Sequence, residues 1–357
     1  MGPESSSPTQ STSAHPKIKT YREWRNTLEQ MLKHVKVKPL GAESLGVRSM
    51  CTYVETADAK ILLDAGVSLC PFRFGLPPHP LEFEAIKVCR RRIAEAAEKA
   101  DFVTISHYHF DHHTPSFEDW LSQWTEADET AKQIYEGKTV WLKNPRENIN
   151  HSQRLRGWIF GKTGAKHAKK TENADGRTFS IGKTSVKFSE PVFHGPENSA
   201  LGKVLMTTIQ YENEKFMFAP DVQGPISKYT LQLILKEKPH FLLLGGPPSY
   251  LAGFKVDEKQ IQEGLDNLQK IVTQVPSVIV EHHILRDEKW RDRLAEASAV
   301  ALKASHKVMT AAEFLGQKNS FLEASRQKLF AEHAPSKEFA AWMRKNGVAK
   351  RFVKPPV

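Results

Sequence analysis

The sequence is poor in cysteine and lacks a long hydrophobic run. Its 357 residues include three cysteines, Cys51, Cys70 and Cys89. This odd count without C-x-x-C spacing argues against a disulfide framework or a thiolate zinc knuckle, so we expect three buried small side chains. No run of about 18 apolar residues predicts a transmembrane helix, and the N-terminus lacks a basic-then-apolar signal pattern. A cytoplasmic protein is the simplest expectation.

Acidic residues are fewer than basic ones. The sequence has 41 aspartates and glutamates and 51 lysines and arginines, which gives a net charge of +10. A basic balance attracts anionic substrates through long-range fields. The excess is concentrated in the Lys138–Lys187 stretch, where Trp141, Trp158 and Phe160 are interleaved. This basic stretch is typical of an RNA or DNA surface, on which cations follow phosphates and aromatic rings stack on bases. A solvated charged face with core aromatics is the alternative.

Strand and helix patterns divide the chain into four segments. Residues 1–17 are predicted to be a disordered tail, and residues 18–34 a helical extension with its helix over 21–34. Residues 35–315 form the main domain, and residues 316–357 a charged, partly helical tail. Long helices are predicted near 80–99, 257–274 and 288–307. Many predicted strands are neighbours in sequence, which favours an α/β sandwich over a strictly wound array.

Four side chains that bind divalent cations lie within six residues, directly after an apolar run. His107, His109, Asp111 and His112 follow the strand predicted for residues 102–106. Imidazole and carboxylate are ligands that borderline cations such as zinc prefer. Ligands two residues apart in an extended segment share one side, and a tight turn would direct Asp111 and His112 elsewhere. The segment could therefore serve two metals, whereas the alternative is a histidine-rich surface loop.

Further candidate ligands follow apolar runs elsewhere in the chain. His194 ends the segment PVFH, Asp221 ends FMFAPD, and His282 and His283 end SVIVEHH. Each has a simpler interpretation, as a core histidine with a satisfied hydrogen bond or as a turn-forming aspartate. Because all of them follow a strand, as ligands at the rim of a buried sheet would, we expect them to complete the site.

The order of these motifs resembles that of the metallo-β-lactamase superfamily. It runs H-x-H-x-D-H, then a single histidine, a single aspartate and a last histidine. The resemblance covers about residues 35–315 and includes the segment ILLDAGV, residues 61–67, which matches the first motif of the superfamily. Residues 40–50, 75–80 and 144–150, LGAESLGVRSM, GLPPHP and NPRENIN, are similar to an uncharacterised, largely archaeal family of predicted hydrolases in that superfamily. This narrower similarity identifies no substrate.

The resemblance implies an αββα metallo-β-lactamase-like sandwich with the metal site at the sheet edge. It also implies two divalent metal ions, expected to be Zn²⁺, with Mn²⁺ and Fe²⁺ as alternatives. His107, His109 and His194 would hold the first metal. Asp111, His112 and the last histidine would hold the second, and Asp221 would bridge both.

The last ligand and the supporting residue are also implied by the resemblance. His282 is preferred as the last ligand because the family usually places it after the strand and one short residue, and His283 remains the alternative. Asp64 would orient ligands through hydrogen bonds without binding metal.

The expected reaction is hydrolysis by a hydroxide that bridges the two metals, while the second metal polarises the scissile carbonyl or phosphoryl group. The expected catalytic residues are Asp111, His113 and Asp221. A proton donor to the leaving group would help. His113, His79 and whichever of His282 and His283 is not a ligand are the candidates.

The substrate is less constrained than the site. An anionic substrate is expected, and on charge grounds a phosphodiester of RNA or DNA is preferred to a thioester or lactone. A di-iron redox protein on the same fold is the alternative class, although no flavin-domain sequence is present. A nucleic-acid-binding module with structural metals is a third class, but structural zinc sites are usually closed and tetrahedral.

Overall fold

The structure, a computed structural model, describes residues 32–357 and contains two large mixed sheets. The six-stranded sheet has the order β1-β2-β3-β4-β5-β6. Its strands are β1 Lys36–Pro39, β2 Thr52–Glu55, β3 Lys60–Leu63, β4 Phe102–Ile105, β5 Thr139–Leu142 and β6 Lys170–Asn173. Strands β1 to β3 are antiparallel, whereas β3 to β6 run parallel.

The seven-stranded sheet has the order β15-β14-β13-β12-β11-β8-β7. Its strands are β7 Thr178–Ile181, β8 Thr184–Phe188, β11 Thr207–Tyr211, β12 Glu214–Ala219, β13 Phe241–Gly245, β14 Ser277–Glu281 and β15 Lys307–Met309. Strands β12 to β15 run parallel. A separate two-stranded ribbon joins β9 Val192–Phe193 to β10 Lys203–Val204.

Ten α-helices connect or follow the strands in the described part of the chain. They are α1 Pro80–Lys99, α2 Ala127–Tyr135, α3 His151–Lys162, α4 Lys228–Glu237, α5 Glu258–Val272, α6 Trp290–Lys303, α7 Ala311–Phe314, α8 Arg326–Glu332, α9 Lys337–Met343 and α10 Gly347–Phe352. Helix α1 begins at Pro80 with His79 as its N-cap, and the Glu82 side chain accepts from the His79 backbone to close a capping box. No helix among residues 32–357 is long and apolar enough to cross a membrane.

Three apolar clusters define the layers. The central cluster joins the inner faces of the two sheets, with Ile61 and Trp141 facing Phe216 and Phe241. A second cluster packs α1 and α2 on the outer face of the six-stranded sheet. A third packs α4, α5 and α6 on the outer face of the other sheet. The predicted αββα sandwich is therefore confirmed.

Alternation along a strand explains this layering. In β3, Ile61 and Leu63 belong to the central cluster and Leu62 to the outer one, because successive side chains point to opposite faces. Strands buried on both faces read as continuous apolar runs, and FLLLG of β13 is buried throughout.

Several elements differ from the predictions. No helix or strand is predicted for residues 138–183, yet they contain β5, α3, β6 and β7. Helix α6 ends at Lys303, and β15 begins at Lys307. Cys51 and Cys89 are buried, but the prediction for Cys70 is wrong because its side chain is half-buried. The predicted tail and most of the predicted 21–34 helix lie outside the described residues, and residues 32–34 are not helical.

The C-terminal residues pack on the outer layer of the six-stranded sheet. Phe339 and Trp342 of α9 join the cluster formed by α1, and the Trp342 ring meets Phe83 edge-on with centroids 5.5 Å apart. The Arg326 guanidinium is buried and donates to both carboxylate oxygens of Glu82. This segment therefore adds to the core as well as carrying charge.

Candidate metal centre

The candidate ligands lie at the carboxyl ends of parallel strands. His107 follows β4, Asp221 follows β12 and His282 follows β14. In open α/β sheets, ligands bind outside the carboxyl ends of the strands. Because both sheets place such ends at the same edge of the sandwich, residues far apart in sequence come together there.

The segment from Ser106 to His113, here called the metal loop, contains a tight turn. The backbone N–H groups of His112 and His113 both donate to the carbonyl oxygen of His109, at 3.0 and 3.2 Å. This turn separates His107 and His109 from Asp111 and His112, as the spacing predicts.

The Asp221 carboxylate lies at the centre of the candidate site. Its Oδ2 atom is 3.2 Å from His107 Nε2, 2.8 Å from His194 Nε2 and 3.9 Å from His109 Nδ1. Ligand atoms of these four residues lie within 4.8 Å of one another. They form the first donor group, which has the composition expected for the first metal.

A second donor group lies on the other side of the same carboxylate. It consists of Asp111, His112 and His282. His282 Nε2 is 3.0 Å from Asp221 Oδ1 and 3.5 Å from Asp111 Oδ2. His112 Nε2 is 3.3 Å from Asp221 Oδ2. Asp221 therefore contacts both groups: Oδ2 lies near the first group and His112, and Oδ1 lies near His282.

The geometry distinguishes the two neighbouring histidines. His282 is fully buried, and its Nε2 atom reaches both Asp111 and Asp221. His283 Nδ1 is 3.8 Å from Asp221 Oδ1, and its half-buried ring lines an adjacent cavity. The structure thus favours His282 for the second donor group, although His283 also lies within reach of Asp221.

Unpartnered buried atoms provide a test of whether this donor set fits metal ions. Nε2 of His112 and His194, Oδ1 of Asp221 and Nδ1 of His283 have no hydrogen-bond partner. A cluster of unsatisfied buried polar atoms is typical of a place that binds an ion or water. Imidazole nitrogens and carboxylate oxygens are also ligands suited to zinc. The residues present therefore fit a pair of divalent cations.

Charge at the site keeps the carboxylates ionised. Burial raises the pKa of Asp221, but His282 and His112 outweigh it and hold that pKa well below its ordinary value. Burial lowers the pKa of His282, whereas Asp221 and Glu43 outweigh it and raise the pKa to about 9. Burial also lowers the pKa of His107 well below its ordinary value. An ionised aspartate and a neutral imidazole are the forms that bind metal, so a cation bound by His282 would displace the proton of that ring.

Asp64 supports the metal loop from the neighbouring strand. Its Oδ1 accepts from the Ser106 backbone N–H at 2.8 Å, and Oδ2 accepts from Nδ1 of His112 at 2.8 Å and from the Ser106 hydroxyl. These bonds fix the ring of His112 with Nε2 directed at Asp221. Asp64, His107 and His112 could also form a metal-binding group, but the hydrogen bonds already occupy the Asp64 carboxylate.

We expect Asp64→Ala to lower metal affinity by about 10–100-fold, because the His112 ring would lose the acceptor that orients it. Titration of metal-free protein with Zn²⁺ in the presence of a competing chelator would measure this change. Asp64→Asn keeps one oxygen acceptor and should lose less affinity. Equal affinities for the wild type and Asp64→Ala would rule out the orienting role.

Sequence reasoning missed a second supporting carboxylate, that of Glu43. It lies in the 3-10 helix Glu43–Leu45, where Oε2 accepts from His282 Nδ1 at 3.1 Å. Arg286 donates to Oε1 of the same carboxylate at 2.8 and 2.6 Å. Glu43 and His282 are 239 residues apart, so no local pattern could connect them. Gln223, whose side-chain amide lies 3.3 Å from His194 Nδ1, was missed for the same reason.

Two of the predicted proton donors do not reach the site. His113 is buried, donates from Nδ1 to the His109 carbonyl at 3.0 Å and packs against Tyr108 and Phe160. Burial lowers its pKa to about 3, so the ring is neutral and packed in the core. His79 caps α1, and its Nε2 contacts the His333 carbonyl oxygen at 3.0 Å. Of the candidates, His283 lines the cavity.

A cavity of about 790 Å³ opens onto the metal loop. His109, Asp111, His194, Asp221 and His283 lie in its wall. Cationic side chains also line it, namely Arg48, Arg156, Lys255, Arg286 and Arg351. A concave, mostly pre-formed pocket with convergent polar groups is the usual form of a ligand site.

The cations and aromatic residues of the basic stretch lie in separate parts of the structure. Thr139 pairs with Lys170 in the parallel β5–β6 register, so Lys138 and Lys170 lie at the amino ends of strands whose carboxyl ends face the site. Lys143 is buried and pairs with Asp175 at 2.7 Å. Trp141 and Phe160 are core residues, whereas 58% of Trp158 is exposed. These groups do not form one continuous basic surface.

Sequence comparison finds similar archaeal proteins. The chain is 44% identical over 302 residues to a UPF0282 protein of Methanopyrus kandleri, covering 84% of this chain and 100% of that protein. It is 44% identical over 296 residues to a UPF0282 protein of Methanocaldococcus jannaschii, covering 83% and 96%. No family model matches the chain.

Solved structures with lower similarity were also found. The metallo-β-lactamase fold protein YhfI from Bacillus subtilis is 14% identical with a TM-score of 0.47, and the match covers 77% of this chain and 96% of that one. The diiron β-hydroxylase CmlA from Streptomyces venezuelae is 13% identical with a TM-score of 0.46, and the match covers 78% and 52%.

Proposed function

The chain belongs to the UPF0282 family, and from its site geometry we propose that it is a metal-dependent hydrolase with a dinuclear centre. One observation carries this proposal. The Asp221 carboxylate lies between two donor groups, built from five histidines and Asp111, and contacts histidines of both. A shared carboxylate between two such groups suits a pair of closely spaced cations.

In the proposed centre, His107, His109 and His194 hold one cation, Asp111, His112 and His282 hold the other, and Asp221 contacts both. Zn²⁺ is proposed on the basis of the nitrogen and oxygen donor set, and Mn²⁺ and Fe²⁺ are the alternatives. When bound, the two cations would supply an activated water and polarise the scissile carbonyl or phosphoryl group.

The chain's own residues orient the donors and receive the substrate. Asp64 fixes the His112 ring, and Glu43, clamped by Arg286, fixes the His282 ring. The cavity admits a ligand to His109 and Asp221. The cations Arg156 and Lys255 in its wall favour an anionic substrate. We therefore propose an ester with an anionic group, phosphodiesters included, and thioesters and lactones are the alternative substrates.

Elemental analysis and a hydrolysis screen would test this function. We expect two divalent cations per chain and hydrolysis of at least one anionic phosphodiester, thioester or lactone, lost on chelation. His109→Ala should lose metal and activity, whereas His151→Ala, at an exposed position on α3, should retain both. Activity that survives chelation and His109→Ala would overturn the proposal. Iron without hydrolysis would favour the di-iron redox class.

A further inference from the structure

Arg156 lies on α3 beside the metal loop. Its guanidinium carbon is 4.8 Å from the centroid of the Phe110 ring, a distance typical of cation–π contact. Its Nη1 donates a long 3.4 Å hydrogen bond to the Tyr108 carbonyl oxygen. Tyr108 and Phe110 flank the candidate ligand His109, so the loop that carries the ligands also holds the guanidinium.

The charge of Arg156 is not matched by an acid. Within residues 32–357, no carboxylate oxygen lies within 4.0 Å of it. Three other arginines are paired with acids: Arg286 with Glu43, Arg326 with Glu82 and Arg48 with Glu323. Buried Arg90 instead donates to the Gln123 and Val67 carbonyls and the Thr114 hydroxyl, whereas Arg156 has one long hydrogen bond to a carbonyl. Burial lowers the pKa of Arg156, although the Asp111 carboxylate opposes this effect. A half-buried cation without a counter-ion is costly unless a ligand supplies one.

The cavity connects this cation to the candidate metal centre. Arg156 lines the same cavity as His109, Asp111 and Asp221. A group held by the guanidinium would therefore lie beside the donors, in the space that a substrate must enter. Planar guanidinium groups bind carboxylate and phosphate through paired hydrogen bonds.

We propose that Arg156 binds an anionic group, a carboxylate or a phosphate, of a compact substrate whose scissile bond faces the metal centre. This inference rests on the proposed hydrolase function and narrows its substrate class. A compact substrate is favoured over a polynucleotide because no other lysine or arginine of the described residues 138–187 lines this cavity. Lys138 and Lys170 lie at the opposite strand ends, and Lys143 is buried against Asp175.

Calorimetric titration of the full, metal-containing chain with inorganic phosphate and with succinate would test the anion site. We expect binding of one or both, weakened about tenfold or more in Arg156→Ala and less in Arg156→Lys, which keeps the charge but not the planar fork. Arg154→Ala, an exposed arginine on the same helix, should bind like the wild type. Preference for phosphate or for succinate identifies the anionic group, and undiminished binding by Arg156→Ala would overturn the proposal.

Two further measurements separate this inference from the hydrolase function. With matched charged and neutral esters, Arg156→Ala should raise KM for the charged ester alone, and an equal effect on both would overturn the anion site while hydrolysis stands. Anion binding that depends on Arg156 in a chain without hydrolytic activity would support the site and overturn the hydrolase. An oligonucleotide that competes with phosphate and binds more tightly, in an Arg156-dependent way, would overturn the compact-substrate proposal.

Discussion

Replacement of Asp221 by alanine should remove both metal ions while leaving the sandwich folded. The reason is geometric, because this carboxylate contacts both donor groups, with Oδ2 near His194 and His112 and Oδ1 near His282. Its loss takes a shared ligand from both groups at once and removes the negative charge among five histidines. A single histidine replacement, in contrast, removes a ligand from one group only. We therefore expect the largest functional effect at this position, namely loss of metal and of all hydrolysis.

Metal content per chain after gel filtration would measure this effect, and circular dichroism would report whether the fold persists. Asp221→Asn keeps the volume and one oxygen acceptor without the charge, so it should retain more metal than Asp221→Ala. Asp128→Ala, at an exposed position on α2, should behave like the wild type. Retention of two metals by Asp221→Ala would contradict the central position of this carboxylate.

The ends of the strands could be predicted because the relevant pattern is local. Three apolar runs, which end at Ile105, Phe193 and Ala219, are each followed within two residues by a histidine or an aspartate. Each run forms a strand that ends at that residue. The fold class follows for the same reason, since strands buried on both faces and the amphipathic helix α1 carry their own patterns. The structure brings the predicted ligands together at one edge, whereas their roles as metal ligands remain a proposal.

Contacts between distant segments could not be predicted in this way. Glu43 reaches His282, and no periodicity links two residues in different layers. The positions of the aromatic residues in the basic stretch could not be predicted either. Composition does not indicate that Trp141 stacks between Phe102 and Phe179 in the core. His113 adjoins the metal motif in sequence, but the turn after His109 directs its ring into the core.

The backbone conformation of three site residues could not be read from the pattern of ligands in the sequence. Asp64, Asp221 and His282 have positive φ values of 46°, 51° and 68°, a region that residues other than glycine rarely adopt. All three follow a strand. After these turns, the Asp221 and His282 side chains lie in the shared centre, and the Asp64 side chain reaches Ser106 and His112 of the metal loop. Strained positions of this kind cluster at functional sites, where the surrounding structure holds them.

Gly66→Ala should destabilise the chain and displace the metal loop. A Cβ atom at this position would lie 2.3 Å from the backbone nitrogen of His113 and 2.5 Å from the backbone nitrogen of His112. These are main-chain atoms, so no side-chain rotation can relieve the clash. Overpacking a core typically costs about 1–3 kcal/mol, and we expect about 3 kcal/mol or more because the backbone must move.

Displacement of the loop should also shift His112 away from Asp64 and lower metal affinity by about tenfold or more, as loss of an orienting contact does. Urea denaturation of metal-free protein would measure the folding effect separately from metal binding, which Zn²⁺ titration would then report. Gly161→Ala is the matched control, because nothing lies within 4 Å of its Cβ on α3. There alanine should be neutral or stabilising by up to about 1 kcal/mol. If Gly66→Ala had the stability and the metal affinity of the wild type, the prediction would be wrong. Close packing of the metal loop on Gly66 would then not set the positions of the ligands.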